Sequence, residues 1–129
     1  MKIEHVALWT KDIEKMKFFY EKYFNGKSGE KYTNTSKKYC SYFLCFESGA
    51  RLELMQKEGI SEFKKEIMEE FIGISHIAFK VNSEKEVDEL TNILSDNRYT
   101  IMGNPRKTGD GYYESVILDP DGNRVEIVY

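Results

Sequence analysis

The sequence predicts an α+β fold in which a βαβββ module occurs twice and the two mixed sheets form a curved cleft. The first observation is a repeated phrase, because IEHVALW near the start of the chain is echoed by ISHIAFK near its middle. The second is that an amphipathic helix and then short alternating strands follow each phrase. The third is the spacing, since His5 precedes Glu53 by 48 residues and His76 precedes Glu126 by 50. A matched order at an offset of about 70 residues is typical of an internal repeat.

The length of 129 residues is that of one domain. We expect this domain to consist of two modules, residues 1–56 and 73–129, joined by a short helical connector over residues 57–72. The connector segment GISEFKKEIMEEFI carries apolar residues at helical spacing, which predicts a bridging helix.

Both module helices have recognisable ends. The first is predicted from KDIEKMKFFYEKYF, with Thr10 as its N-cap and Asn25-Gly26 as its stop. The second is predicted from SEKEVDELTNILSDN, where Ser83 and Glu86 have the spacing of a capping box.

Composition excludes several classes of partner and location. A net charge of −3 and a pI near 5.5 argue against nucleic acid binding, which needs a basic face. No apolar run approaches the roughly 18 residues of a membrane span, and the N-terminal segment lacks the apolar core of a signal peptide. Cys40 and Cys45 lie in a strand-like stretch, which separates them by about 16 Å and prevents a disulfide. We therefore expect a cytoplasmic protein with reduced thiols.

The two histidines of the chain both fall in the repeated phrase. Strand alternation predicts that they and the two glutamates lie on the sheet faces opposite the helices. Taken singly, such residues are more often a partly buried histidine or a solvated charge. Four of them meeting without a cation, however, would bury two carboxylates at a cost of several kcal/mol. Two imidazoles and two carboxylates suit a borderline divalent ion, so we predict one metal site formed by His5, Glu53, His76 and Glu126.

The paired pattern with EHVAL, RLELM, SHIAF and DPDGNRVEI resembles the vicinal oxygen chelate superfamily. This superfamily includes glyoxalase I, bleomycin-resistance proteins and extradiol dioxygenases. The closing stretch TGDGYYESVILDPDGNRVEI is most similar to bacterial glyoxalase I-like (lactoylglutathione lyase-like) proteins. The resemblance covers essentially the whole chain and implies the glyoxalase/bleomycin resistance fold. It also implies that the metal is held by one His and one Glu from each module, at the four positions predicted above, and that the ion is Ni, Zn or Co, with Fe or Mn as further options.

The activity implied by the resemblance is that of a metal-dependent lyase or isomerase. The substrate would be a small α-oxo or α-hydroxycarbonyl compound, or its adduct with a thiol, converted through an enediolate. Glu126 would be the catalytic base and Glu53 its counterpart in the first module.

The chain departs from bacterial glyoxalase I where that enzyme holds glutathione. The family has an Arg four residues after the first His and an Asn four residues after the first Glu, whereas this chain has Trp9 and Lys57. Little or no use of glutathione is therefore expected. Trp9 would line the substrate pocket or pack in the core. Arg51 and Arg124 would bind an anionic substrate or orient the neighbouring carboxylates.

Alternative functions remain open at the level of the sequence. Bleomycin-resistance proteins use the same kind of cavity to sequester a small molecule without catalysis, and related epimerases and dioxygenases share the fold. In this family the modules pair within one chain or are exchanged between two. We expect a homodimer with a small-molecule substrate as its other partner.

Overall fold

The computed structural model describes residues 1–61, 69–70 and 72–129. The chain divides into two compact units, Met1–Lys64 and Lys65–Tyr129. Half of the helical connector predicted for residues 57–72, namely residues 62–68 and 71, lies outside the described residues, and Lys57 ends the last strand of the first unit. The expected α+β class with two mixed sheets is confirmed. Among the helices that the structure describes, none is long and apolar enough to span a membrane.

The described residues of the first unit, 1–61, form one helix and five strands. They are β1 (His5–Trp9), α1 (Ile13–Phe24), β2 (Lys27–Ser28), β3 (Tyr32–Asn34), β4 (Tyr39–Cys45) and β5 (Arg51–Lys57). The sheet order is β1-β5-β4-β2, with β3 also paired to β4. β1 and β5 are parallel, and the other pairs are antiparallel.

The second unit follows the predicted βαβββ order. Its elements are β6 (His76–Lys80), α2 (Glu84–Asp96), β7 (Ile101–Lys107), β8 (Tyr113–Leu118) and β9 (Arg124–Val128). The sheet order is β6-β9-β8-β7, and β6 and β9 are its parallel pair. The first and last strands of both units are therefore neighbours.

The first unit has one strand more than the prediction of three after the helix. Two short strands replace one, because the chain pairs with the end of β4 at Ser28 and again with its start at Tyr32. The intervening residues 29–31 leave the ladder, although Gly29 still donates its N–H to the carbonyl of Phe43 at 3.0 Å.

Apolar residues of each helix pack on one face of the sheet in the same unit. In the first unit, α1 buries Met16, Phe19 and Tyr20 on the side where β5 buries Leu52 and Leu54. In the second unit, α2 and the sheet bury Val87, Leu94, Ile117, Val125 and Ile127. Strand alternation then sends the neighbouring side chains of β5 and β9 to the opposite face.

Two of the three predicted helix ends agree with the structure. Ser83 caps α2, with its hydroxyl accepting the N–H of Glu86 at 3.1 Å. Asn25 ends α1 in the left-handed region with a φ of 55°. The prediction of Thr10 as the N-cap of α1 was wrong, because Asp12 has the extended backbone and its carboxylate accepts the N–H of Lys15 at 3.0 Å. Asp12 directly precedes the first helical residue, whereas Thr10 lies two residues earlier. Asp is also at least as favourable as Thr at an N-cap.

Both cysteines lie on β4 and are free thiols, as expected from their spacing.

Candidate metal centre

The parallel pairing of β1 with β5 brings the first predicted His–Glu pair together. In this register His5 lies beside Arg51, and Ala7 beside Glu53. The Nε2 atom of His5 is 3.7 Å from Oε2 of Glu53. The pair lies on the sheet face opposite α1, as the alternation of Leu52 and Glu53 predicts.

The parallel pairing of β6 with β9 repeats this arrangement in the second unit. His76 lies beside Arg124, and Ala78 beside Glu126. The Nε2 atom of His76 is 3.2 Å from Oε2 of Glu126. The histidine side chains are 40% and 39% exposed in the two units, whereas the glutamates are 13% and 19% exposed. Each imidazole is thus accessible, while its carboxylate partner is largely withdrawn from solvent.

The other ring nitrogen of His5 is already engaged. Its Nδ1 lies 2.5 Å from Oε2 of Glu4, and Arg51 donates from Nε to the second oxygen of Glu4 at 2.8 Å. These contacts lower the pKa of the Glu4 carboxyl, the one with His5 most strongly, so the Glu4 carboxylate can accept a hydrogen bond from Nδ1–H of His5. A histidine held this way presents Nε2 as its free donor atom. In the second unit Ser75 takes the corresponding place, with Oγ 3.3 Å from Nδ1 of His76.

The two predicted arginines contact carboxylates other than those expected. Arg51 binds Glu4 and lies over the ring of Phe43, 4.2 Å from its centroid. Arg124 is largely buried and donates from Nη1 to both oxygens of Glu70 at 2.6 Å. Neither contact is to the glutamate two residues further along the strand. Side chains two residues apart on a strand project side by side from the same face. An arginine there is better placed to reach a carboxylate on a neighbouring segment than the glutamate two residues along its own strand.

Two aromatic residues of β4 contribute to the site and were not predicted from the sequence. Phe43 lies opposite Glu53 in the register, and its ring meets that of His5 edge-on at 5.3 Å between centroids. Tyr39 donates its hydroxyl to Oε1 of Glu53 at 3.1 Å. The alternation of Tyr39, Ser41 and Phe43 places them on one face, but only the strand register identifies that face as the one with His5.

Trp9 lies on the same face and is not core packing. Its side chain is 44% exposed, and its ring meets that of Tyr39 edge-on at 6.1 Å. Lys57 pairs with Tyr39 across β5 and β4 and is exposed. Trp9 and Lys57 therefore lie near one end of this face. By the resemblance described above, they stand where bacterial glyoxalase I has the residues that hold glutathione.

An open cavity of about 490 Å³ borders the pair of the second unit. This volume lies within the usual range for small-molecule sites. Burial raises the pKa of Glu126, and the nearby Glu114 adds to the rise, whereas His76 opposes it. Glu114 also lies 3.3 Å from Nη1 of Arg106. The residues that line the cavity include His76, Arg106, Glu114, Val116, Arg124 and Glu126.

The donor atoms of each pair fit a metal ion. Two ligands about 2.1 Å from a common ion lie roughly 3 Å apart when they occupy adjacent coordination positions, which is close to the observed separations of 3.7 and 3.2 Å. Within residues 1–61, 69–70 and 72–129, no three or more His, Cys, Asp or Glu side chains are grouped as a metal site. Each unit therefore supplies a pair of donors, which is half of the predicted set.

The sheet topology and the twin His–Glu pairs define a class of protein, and comparison with known families identifies it. Residues 2–127 match the family model described as the Glyoxalase/Bleomycin resistance protein/Dioxygenase superfamily. The chain belongs to this superfamily, as its resemblance to vicinal oxygen chelate proteins implied. Members generally bind a divalent metal ion and small-molecule substrates, and they often form dimers.

Individual relatives support the fold. The chain is 35% identical over 60 residues to the uncharacterized protein YqjT of Bacillus subtilis (strain 168), an alignment covering 44% of this chain and 47% of that protein. A glyoxylase/bleomycin resistance protein/dioxygenase domain from Frankia sp. EAN1pec has a TM-score of 0.81 at 16% identity, covering 99% of this chain and 96% of the other.

Two solved glyoxalase I structures are also similar. The trypanothione-dependent glyoxalase I of Leishmania major has a TM-score of 0.76 at 23% identity, covering 99% of this chain and 86% of that one. A glyoxalase I variant from Zea mays has a TM-score of 0.79 at 21% identity, covering 98% of this chain but 44% of that one. The chain thus spans about half the length of the maize enzyme, and at these identities the likeness concerns the fold.

Proposed function

We propose that this protein is a glyoxalase I-like, metal-dependent lyase or isomerase. Its substrate would be a small α-oxo or α-hydroxycarbonyl compound or a thiol adduct of one. The observation that carries the proposal is the twin arrangement of an imidazole Nε2 facing a carboxylate Oε2 at matching places in both units. A duplicated donor pair of this kind has no role in either core, because both pairs lie on the faces opposite the helices.

One divalent ion would be held by His5, Glu53, His76 and Glu126. We favour Ni, Zn or Co, with Fe or Mn as alternatives, because the donors are two imidazoles and two carboxylates. Such an ion supplies Lewis-acid polarisation of a carbonyl oxygen. The proposal requires the two pairs to meet, either within one chain or between the chains of a homodimer.

Glu126 would remove and return the proton on the substrate carbon. A base works best when its pKa is closer to the working pH, and burial moves the pKa of Glu126 upward. Glu53 would be its counterpart and mainly a ligand. In the first unit, Trp9 would line the substrate site with an aromatic surface. Arg51 and Arg124, which we assigned to the substrate from the sequence, would act more through Glu4 and Glu70 than by direct contact.

The first test is metal stoichiometry. A single shared ion predicts one metal per chain in the wild type and loss of it in either His5→Ala or His76→Ala. If the two pairs bound separate ions, each single variant would retain one of them. Unchanged stoichiometry in both variants would show that the ligand assignment is wrong.

The second test determines which chains form the site. His5→Ala and His76→Ala proteins would be mixed in equal amounts, dissociated and reassociated. Random pairing makes half of the dimers mixed. A site formed between chains then has one intact copy in each mixed dimer, so a quarter of the wild-type sites is recovered. A site formed within one chain recovers none.

The third test is turnover of methylglyoxal with a panel of thiols and without any thiol. We expect a different thiol, or none, to serve better than glutathione, because Trp9 and Lys57 replace the groups that hold it. Rates with glutathione equal to those of a dedicated glyoxalase I would contradict this expectation.

The second candidate is a non-catalytic binding protein of the bleomycin-resistance type. The open cavity of about 490 Å³ beside His76 and Glu126 favours it, since a cavity of this size can hold a small ligand without reacting with it. Metal binding without turnover of any dicarbonyl would favour this candidate over the enzyme.

A further inference from the structure

Tyr39 lies between two aromatic rings and directs its hydroxyl at Oε1 of Glu53. Its ring meets the ring of Trp9 at 6.1 Å and 83°, and the ring of Tyr32 at 6.1 Å and 60°. The hydroxyl donates to Oε1 of Glu53 at 3.1 Å. An edge-on contact with Trp9 and a tilted contact with Tyr32 restrict rotation of the Tyr39 ring, which favours this direction of the hydrogen bond.

The two oxygens of Glu53 consequently have different partners. Oε1 accepts the hydrogen bond from Tyr39, and Oε2 lies toward Nε2 of His5. A glutamate has three rotatable side-chain bonds, and ordering them has an entropic cost. The hydrogen bond from Tyr39 orders the Glu53 side chain before any ligand binds. The entropic cost of ordering is therefore not added at the binding step, and Oε2 already faces the imidazole of His5.

The second unit treats its glutamate differently. Val116 lies opposite Glu126, as Phe43 lies opposite Glu53. The residue four positions before Val116, which matches Tyr39, is Tyr112. Tyr112 precedes β8 and is 52% exposed, and its carbonyl accepts a hydrogen bond from the N–H of Thr108. Among the residues that the structure describes, Glu53 is the member of the two pairs that accepts a hydrogen bond from a phenol.

We propose that Tyr39 is a positioning residue that orients Glu53 as a metal ligand. The inference rests on the proposed function, because it assumes that the His–Glu pairs hold a metal. It adds a residue, outside the predicted donor set, that acts on the metal through Glu53.

A phenol carries its proton at neutral pH, so the Tyr39 hydroxyl can act as the donor of this hydrogen bond.

The test uses Tyr39→Phe with Tyr42→Phe as a matched control. Tyr42 is on the same strand, is buried, and donates its hydroxyl to Oε1 of Glu14 at 3.2 Å, but on the helix side of the sheet. Both variants remove one phenol–carboxylate hydrogen bond and keep the ring. Each protein would be stripped of metal and titrated with Co²⁺ against a competing chelator, and the visible spectrum of the cobalt protein would be recorded.

We expect Tyr39→Phe to bind Co²⁺ 10- to 100-fold more weakly and to change the cobalt absorption bands, the usual effect of losing a group that orients a ligand. Tyr42→Phe should leave both the affinity and the bands unchanged. Wild-type affinity and an unaltered spectrum in Tyr39→Phe would overturn the inference while leaving the proposed function intact. Failure of the wild type itself to bind Co²⁺ would overturn both.

Discussion

Glu126→Gln separates the roles of base and ligand at one position. The substitution keeps the shape of the side chain and an oxygen that can face His76, but it removes the ability to accept a proton from carbon. A positioned general base contributes about 10²–10⁴-fold, which corresponds to roughly 2.7–5.4 kcal/mol of activation free energy at 1.36 kcal/mol per tenfold. We therefore expect turnover to fall by at least this range while most of the bound metal is retained.

The same substitution should stabilise the metal-free protein. The Glu126 side chain is 19% exposed, and burial raises its pKa. A carboxyl with a raised folded-state pKa destabilises the fold as it ionises, from the unfolded-state pKa upward. The variant should thus equal the wild type in acid and become more stable as the pH rises through the carboxyl range. Urea unfolding of metal-free protein at several pH values measures this difference.

Glu114→Gln is the matched control for the turnover measurement. Glu114 lines the same cavity and is 13% exposed, but its carboxylate pairs with Arg106 at 3.3 Å. An equal loss of turnover in this control would refute the assignment of Glu126 as the base. Unchanged turnover in Glu126→Gln would refute it directly.

Three further predictions concern the framework of the site. Thr91→Val should destabilise the protein by about 1–3 kcal/mol in thermal unfolding, because it leaves the buried Ser115 hydroxyl, 2.6 Å away, without that partner. Metal content should not change. Asp12→Ala should cost about 0.5–2 kcal/mol by removing the helix cap, and a smaller loss than for Thr10→Ala would restore the original assignment. The carboxyl carbon of Glu4 should titrate below the usual pH for glutamate, because its pKa is lowered. Arg51→Gln should move that NMR midpoint upward, and an unmoved midpoint would show that the ion pair is not formed in solution.

Most features decided within one strand or one helix were predicted from the sequence, the N-cap of α1 being the exception. Alternation alone separated Glu53 from Leu52 and Leu54, and the structure places them on opposite faces. The N-cap at Ser83 was predicted for the same reason, since a cap depends on residues within one turn. The carboxylate of Glu86, however, accepts the N–H of Asn82, whereas a capping box has it accept the N–H of the N-cap residue.

Features that depend on the pairing of distant strands could not be predicted. Tyr39 reaches Glu53 because β4 and β5 have a particular register, and no local pattern specifies that register. Arg51 was expected to bind an anionic substrate or to orient Glu53, but its partner Glu4 precedes the neighbouring strand β1. The joining of the two His–Glu pairs at one ion rests on the repeat and the family resemblance, and it remains a prediction.

The parallel pairing of first and last strands links the binding chemistry to the order of folding. His5 and Glu53 belong to β1 and β5, so nearly the whole unit must fold before these two side chains come together. Contacts between residues so far apart in sequence form late, because a long loop must close first. A unit whose last strand has not yet paired therefore lacks its donor pair, and a ligand that needs both atoms of that pair binds and stabilises only the completed unit. Ligand binding at a His–Glu pair would then require that the last strand of the unit has already paired with the first.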